Sequence, residues 1–336
     1  MTFKTAVMGA GSWGTTFGKL LHDAGGEVVL WGRRPGVVEA INERHENTDY
    51  LPGIVLPAGM RATLDPVEAL DGADFVALAV PAQTLRANLA AWVPHLPSGA
   101  VMVSLMKGVE DGTTLRMSEV IREVADVPQE RVAVFCGPNL AREIASGEPG
   151  AAVAACADED AARRLQAATM TRYFRVYTST DVIGCELGGA VKNIVALCVG
   201  MSVGLGFGAS TQAVLMTRGL AEITRLGVTM GADEHTFAGL AGMGDLVGTC
   251  MSPLSRNRTF GENLGRGMTL EQVISVTKQT AEGVKSAEAV MELARKHSVE
   301  MPIAEAVTAV LHDGVPIKEA AVSLISRSPK AERYGV

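Results

Sequence analysis

The stretch GAGSWGTTFG places Gly9, Gly11 and Gly14 in the spacing G-x-G-x-x-G, directly after the apolar run Ala6-Val7-Met8. In a strand–turn–helix setting each glycine has its own task. The first permits a tight turn, the second lets the backbone approach a pyrophosphate, and the third lets the helix lie against the strand. The helix start adds unpaired N–H groups and the positive end of its dipole for phosphate oxygens. By itself the spacing is a weak signal. A strand-like run before it and a helical pattern over residues 13–24 raise it to a dinucleotide-binding turn.

Three other clusters carry chemistry. After the apolar run 28–31 the chain reads Gly32-Arg33-Arg34-Pro35, where an NAD-selective protein usually has an acidic residue for the ribose hydroxyls. Two arginines there can hold a 2′-phosphate or stack on adenine, which predicts that NADP(H) is accepted. Ser255-Arg256-Asn257 packs a hydroxyl, a planar guanidinium and an amide into three consecutive residues, a set suited to a small anion. Lys192 stands in GGAVKNIVALCVG, an apolar helical stretch where an unpaired charge is expensive. Burial or a second cation would lower its pKa from the ordinary value of about 10.4.

These residues need elements to hold them. Strand-like runs at 5–8, 28–31, 75–80, 101–105, 132–135 and 151–156 alternate with helical patterns at 13–24, 36–47, 84–92, 115–125, 140–146 and 161–170. Continuous apolar strands alternating with helices predict a parallel sheet covered on both faces. From about residue 182 strand runs nearly vanish, and helical periods dominate at 188–203, 212–226, 269–277, 284–297 and 303–311. The expected fold is therefore α/β: a Rossmann-type doubly wound parallel sheet over residues 1–182, followed by an all-α C-terminal domain over 183–336. Gly242 and Gly244 flank Met243 and would allow a backbone turn ahead of Asp245.

Composition narrows the function. At 336 residues the chain is long enough for two domains, and 47% apolar with 20% charged residues is the balance of an ordinary soluble globular protein. A net charge of −7 without a long basic run argues against nucleic-acid binding. The five cysteines (Cys136, Cys156, Cys185, Cys198, Cys250) form no C-x-x-C pair, so neither a disulfide framework nor a zinc site is expected, and the six scattered histidines suggest no metal. The cysteines read as small buried hydrophobes and the histidines as structural or surface residues. The N-terminus lacks the apolar core of a signal peptide, and the most apolar helical stretch, 191–205, is shorter than a membrane span, so a cytoplasmic location is expected.

Longer motifs then line up in order: NTDYLPG (47–53), AVPAQ (79–83), LMKGVE (105–110), CGPNLAREIASGEP (136–149), ELGGAVKNIVAL (186–197), GLAGMGDLVGTCMSPLSRNRTFG (239–261) and AEGVKSA (281–287). Together they closely resemble the bacterial NAD(P)-dependent glycerol-3-phosphate dehydrogenase family, from about residue 5 to about 325. The resemblance implies NAD(P)H-dependent, reversible reduction of dihydroxyacetone phosphate to sn-glycerol 3-phosphate, feeding phospholipid synthesis. It implies NADP(H) or NAD(H) as cofactor and a small-molecule substrate, and a homodimer is compatible with it.

By position, the resemblance implies cofactor contacts at Ser12 and Trp13 in the glycine loop, at Arg33 and Arg34 on the adenosine side, and at Ala141, Arg256 and Glu282. Lys107 would touch cofactor and substrate. Gly137, Asn139, Asp245, Ser255, Arg256 and Asn257 would touch substrate, and Lys192 would be the general acid/base. Lys107 would then be the second cation beside Lys192, and Asp245 would hold Lys192 while opposing the fall in its pKa, which leaves the net shift open. The family usually has Ser or Thr where Asn139 stands and Phe where Leu140 stands; Asn139 can still donate and accept hydrogen bonds. A 6-phosphogluconate or β-hydroxyacid type of dehydrogenase is the nearest alternative, and SRNR and GDL…TC argue against it. A non-catalytic NADP-binding regulator is the other, and it would be expected to lack Lys192 or Asp245, both of which are present.

Overall fold

The computed structural model describes residues 3–277, 281–329 and 331–332. The chain divides into two units. The first comprises residues 1–106 and 117–182, and the second comprises 107–116 and 183–336. The ten residues from Lys107 to Arg116 thus belong to the second unit, although the sequence reading assigned them to the first domain.

In the first unit eight strands form one sheet: β1 (Lys4–Met8), β2 (Glu27–Trp31), β3 (Arg61–Thr63), β4 (Phe75–Leu78), β5 (Val101–Ser104), β6 (Val132–Cys136), β7 (Gly150–Cys156) and β8 (Phe174–Ser179). Their spatial order is β3-β2-β1-β4-β5-β6-β7-β8. The chain winds outward from β1 in both directions, so the order reverses between β1 and β4, and a doubly wound sheet opens its ligand crevice at that place. β4 and β6 are apolar along their whole length, β1 and β5 are apolar but for Lys4, Thr5 and Ser104, and all four are almost entirely buried, as strands covered on both faces must be.

The expected parallel sheet is present, with one local departure. The sheet is parallel except that β7 runs antiparallel to β6. A parallel return needs a crossover long enough to climb back along the sheet. The link 137–149 holds only the short helix Ala141–Ala145, whereas β8, reached through an eleven-residue helix, is parallel to β7.

The helices of this unit are α1 (Ser12–Asp23), α2 (Pro35–Glu39), α3 (Pro66–Leu70), α4 (Leu85–Trp92), α5 (Met117–Ala125), α6 (Ala141–Ala145) and α7 (Glu159–Thr169). Local chemistry sets their starts: Asp65 and Asp158 accept from backbone N–H groups at 2.9 Å to cap α3 and α7, and Pro35 and Pro66 open α2 and α3. The expected helix 36–47 is instead α2 followed by one wide turn, Ala40–Arg44, ended by His45 at φ 52. Phe17 and Phe135 meet edge-to-face at 4.9 Å in the core, with Trp13 and Phe174 on either side.

The second unit is built around α8 (Val182–Gly204), whose residues from Gly184 to Ser202 are all buried. Around it stand α9 (Ala209–Thr229), α10 (Glu234–Ala238), α11 (Asp245–Met251), α12 (Arg256–Gly265), α13 (Leu270–Val276), α14 (Glu282–Lys296), α15 (Pro302–His312) and α16 (Ile317–Ile325). The helix is 23 residues long and apolar enough to cross a membrane, longer than the sequence reading had it. Its most apolar window is 89% buried inside the protein, which makes it the core helix of this unit. A helix hydrophobic all round is expected to be buried on every side. All five cysteines are buried and none is in a disulfide, and burial raises the Cys198 and Cys250 thiols to about 12.

Candidate active site

In the first unit the glycine turn follows β1. Gly9 sits at φ 137, and its N–H donates to the carbonyls of Val7 and Trp31, both at 3.1 Å. A Cβ there would lie 2.5 Å from the Ala79 carbonyl oxygen just beyond β4, and a Cβ on Gly14 would collide with the Gly9 carbonyl. A Cβ on Gly11, by contrast, would meet nothing within 4 Å. Gly9 and Gly14 therefore close the turn against the sheet, while Gly11 faces open space. No side chain caps α1, which leaves its first N–H groups for an anion. The loop fits a pyrophosphate on geometry alone.

Neighbouring residues hold the turn. Asn47 donates to the Ala10 carbonyl at 3.0 Å and to the Thr15 hydroxyl at 2.8 Å, and Ser12 Oγ donates to the Tyr50 carbonyl at 2.9 Å. Thr16 donates to the Ala141 carbonyl at 3.1 Å, which brings the start of α6 against α1. Trp13 packs its indole near Phe17 and Phe135, yet its Nε1 is buried with no hydrogen-bond partner among the described residues. The amide atoms of Asn139 are likewise buried and unpartnered, two residues beyond Gly137, which has φ 129. Buried donors without partners are costly, and a bound polar group would satisfy both.

The two arginines differ. Arg34 forms an ion pair with Asp49 and lies over the Tyr50 ring, 5.8 Å from its centroid. Arg33 is exposed and has no ion pair or hydrogen bond among the described residues. The sequence treated them as equals; the loop around Tyr50 occupies one and leaves the other.

In the second unit the pair Gly188-Gly189 organises the centre. A Cβ on Gly188 would strike the Ala241 carbonyl, so the wide turn Leu240–Gly244 passes directly over the helix there. A Cβ on Gly189 would lie 3.3 Å from Lys107 Cγ, so the Lys107 stem lies on the next position. One helical turn later these two faces carry Lys192 and Asn193. Two side-chain-free positions thus admit two chain segments. One delivers Asp245 and the other Lys107 to the same lysine.

Lys192 Nζ donates to Asp245 Oδ1 and, at 2.6 Å, to Thr249 Oγ1, and Lys107 Nζ donates to Asp245 Oδ2 at 2.7 Å. Lys192 is 4% exposed and Asp245 1%. Two ammonium groups therefore share one buried carboxylate. Burial lowers the Lys192 pKa most, Asp245 opposes the fall, and Lys107 adds to it; the net direction is down. The third N–H of the ammonium has no partner among the described residues.

Beside this cluster Asn193 donates toward the Lys107 carbonyl at 3.5 Å and accepts from Asn257 Nδ2 at 3.0 Å, and Asn257 Oδ1 accepts from Gly283 N–H at 3.0 Å. Both ends of the Asn257 amide are engaged inside the protein. Ser255 caps α12 by accepting from Arg258 N–H at 3.3 Å. Arg256 has an exposed side chain set in dense surroundings, which lower its guanidinium pKa, with Glu282 opposing.

Thr249, Asn193, Asn47 and Tyr50 had no role assigned from sequence. Thr249 had a readable signal, since it lies four residues after Asp245 and so on the same helix face. The other three lie inside quoted motifs, but their partners are distant in sequence and no local pattern shows them.

A nucleotide-binding turn in one unit and a buried lysine sharing a carboxylate in the other define a nicotinamide-dependent oxidoreductase. Family models for the N-terminus and C-terminus of NAD-dependent glycerol-3-phosphate dehydrogenase match residues 4–162 and 181–322, and the chain belongs to that family. It is 64% identical to the glycerol-3-phosphate dehydrogenase [NAD(P)+] of Thermobifida fusca over 99% of both chains. It is also 64% identical to the Streptomyces griseus protein of the same name over 98% of both. Among solved structures, the glycerol-3-phosphate dehydrogenase of Coxiella burnetii superposes with a TM-score of 0.92 at 34% identity, covering 97% of this chain and 99% of that one.

Proposed function

We propose that the chain catalyses the reversible NAD(P)H-dependent reduction of dihydroxyacetone phosphate to sn-glycerol 3-phosphate, with Lys192 as general acid. The observation that carries the mechanism is the Lys192 ammonium, held on two sides by Asp245 and Thr249 and left with one N–H to give. A bound nicotinamide supplies the hydride. As the ketone oxygen gains negative charge, Lys192 donates a hydrogen bond and then its proton, and its lowered pKa makes that proton easier to give. In the oxidation direction the neutral amine takes the proton back. Lys107 keeps the cluster positive, and Asp245 fixes where both ammonium groups stand.

The substrate phosphate is assigned to Arg256, the Ser255 hydroxyl and the first N–H groups of α12, a ten-residue helix. Gly9, Gly11, Ser12, Trp13, Gly14, Arg33, Arg34 and Ala141 are assigned to the cofactor, with Lys107, Arg256 and Glu282 contributing. Gly137 and Asn139 are assigned to substrate. Supplying glycerol 3-phosphate to phospholipid synthesis in the cytoplasm, as a homodimer, completes the reading. Sedimentation as a species of twice 35.2 kDa would support the dimer, and a monomer would remove it.

The direct test mixes the purified chain with dihydroxyacetone phosphate and NADPH or NADH and follows the absorbance of the reduced nicotinamide. Turnover with at least one cofactor is expected; none with either sinks the reading.

A further inference from the structure

The segment from Lys107 to Arg116 is a strap closed on itself. Val109 and Arg116 form an antiparallel bridge, Glu110 N–H donates to the Leu115 carbonyl at 2.9 Å, and Thr114 N–H donates to the Glu110 carbonyl at 3.0 Å. Val109 is fully buried in the core of the helical unit. Opposite it, Arg116 Nη1 donates to Glu186 Oε2 on α8 at 2.6 Å, with side-chain exposures of 11% and 5%. Glu186, Gly189 and Asn193 follow one another at spacings of three and four, so they share one face of α8. Each receives a different part of the strap: Glu186 takes the Arg116 guanidinium, Gly189 the Lys107 stem, and Asn193 the Lys107 carbonyl.

A buried ion pair is a poor source of stability, because desolvation of two charges consumes most of what their attraction returns. Its directional geometry is another matter. A guanidinium–carboxylate contact sets where the strap sits along the helix, and a greasy contact would tolerate sliding. We propose that the Arg116–Glu186 pair is a positioning device for Lys107, fixing the strap on α8 so that the Lys107 ammonium reaches Asp245 beside Lys192. This rests on the reading of Lys192 as the general acid. Arg116 and Glu186 act only through Lys107.

The test is a cycle in the full-length protein, with dihydroxyacetone phosphate and NADPH. Glu186→Gln keeps the shape and removes the charge. It is expected to lower kcat/KM for dihydroxyacetone phosphate about tenfold, since a small misplacement at a reacting cluster is costly. The charged groups facing Lys192 are Lys107 from the strap and Asp245 from α11, with the Cys250 thiol also on α11. Drawing Lys107 away lets Lys192 keep its proton to higher pH, so the alkaline limb of kcat/KM for reduction shifts upward.

In a Lys107→Ala background the same substitution is expected to change kcat/KM by less than about twofold, because its effect has no remaining route. The uncharged pair Arg116→Met with Glu186→Gln removes both charges together and is expected to restore the melting temperature but not kcat/KM. It also carries the comparison if Glu186→Gln alone folds poorly. Equal losses in both backgrounds, or recovery of kcat/KM together with stability, would overturn the proposal. Absence of turnover by the unaltered chain would instead remove the underlying reading, and that is measured first.

Discussion

The adjacent glycines of α8 make opposite predictions for the same substitution. Replacing either by alanine favours the helix by about 1 kcal/mol, the difference in intrinsic propensity. At Gly188 the new methyl meets the Ala241 carbonyl oxygen, with the carbonyl carbon at 3.2 Å and Gly242 Cα at 3.7 Å, so backbone must move. Overpacking of that kind costs about 3 kcal/mol at its usual upper range. The net loss is about 2 kcal/mol, which for a unit of this size lowers Tm by about 4–8 °C. At Gly189 the methyl meets the flexible Lys107 stem, with Cγ at 3.3 Å and Cδ at 3.6 Å. The stem yields by about 0.3 Å; scaled from the roughly hundredfold loss for a 1 Å misplacement, kcat/KM falls about fourfold. Stability stays unchanged or rises slightly. Thermal melts followed by circular dichroism, paired with steady-state kinetics on dihydroxyacetone phosphate, read both quantities. Equal Tm shifts for Gly188→Ala and Gly189→Ala, or unchanged kcat/KM in the second, would refute the account of two glycines admitting two segments.

Three further outcomes are expected. Lys192→Ala removes nearly all turnover while NADPH affinity, measured by fluorescence titration, stays close to that of the unaltered chain; parallel loss of both would make the lysine structural. Arg33→Ala raises KM for NADPH about tenfold, the scale of one lost charge-assisted hydrogen bond, and leaves NADH nearly untouched, whereas Arg34→Ala, already paired with Asp49, affects both cofactors alike; a reversed pattern in the kinetics would assign the 2′-phosphate to Arg34. Glu222, which accepts from Ile303 N–H at 2.7 Å and Ala304 N–H at 3.3 Å to cap α15, has its pKa raised by burial from 4.5 to about 7. The folded state therefore holds that proton more tightly, so its contribution is full below about pH 4.5 and is lost as pH rises through about 7, by about 3 kcal/mol. Glu222→Gln should flatten this slope in melts between pH 5 and 8; an unchanged slope would show that another group carries it.

How much of this could be read in the sequence follows from how local each cause is. Uniformly apolar strands and the glycine turn announce themselves, because their physics acts between near neighbours. β3 and β8 did not, for different reasons. β3 is three residues at the sheet edge, and β8 alternates buried and exposed positions among arginine and tyrosine, which reads as neither a core strand nor a helix. The antiparallel turn of β7 was invisible, since an apolar strand looks the same in either direction. Of the candidate centre, Lys192, Asp245 and Ser255-Arg256-Asn257 stood out by charge in apolar or turn settings.

The strap was the hardest part to see. Lys107 lies 138 residues from Asp245 and Arg116 lies 70 from Glu186, and nothing local distinguishes these ion pairs from solvated charges. What the sequence did contain was the double glycine four residues before Lys192-Asn193 on the helix. Placed by propensity alone, two glycines inside a buried helix are a defect of about 2 kcal/mol. A helix keeps such a defect where a backbone on one side and a side-chain stem on the other must pass close. Read that way, ELGGAVKN already states that two segments converge on the lysine, and the glutamate three residues before the second glycine marks the face on which one of them is held.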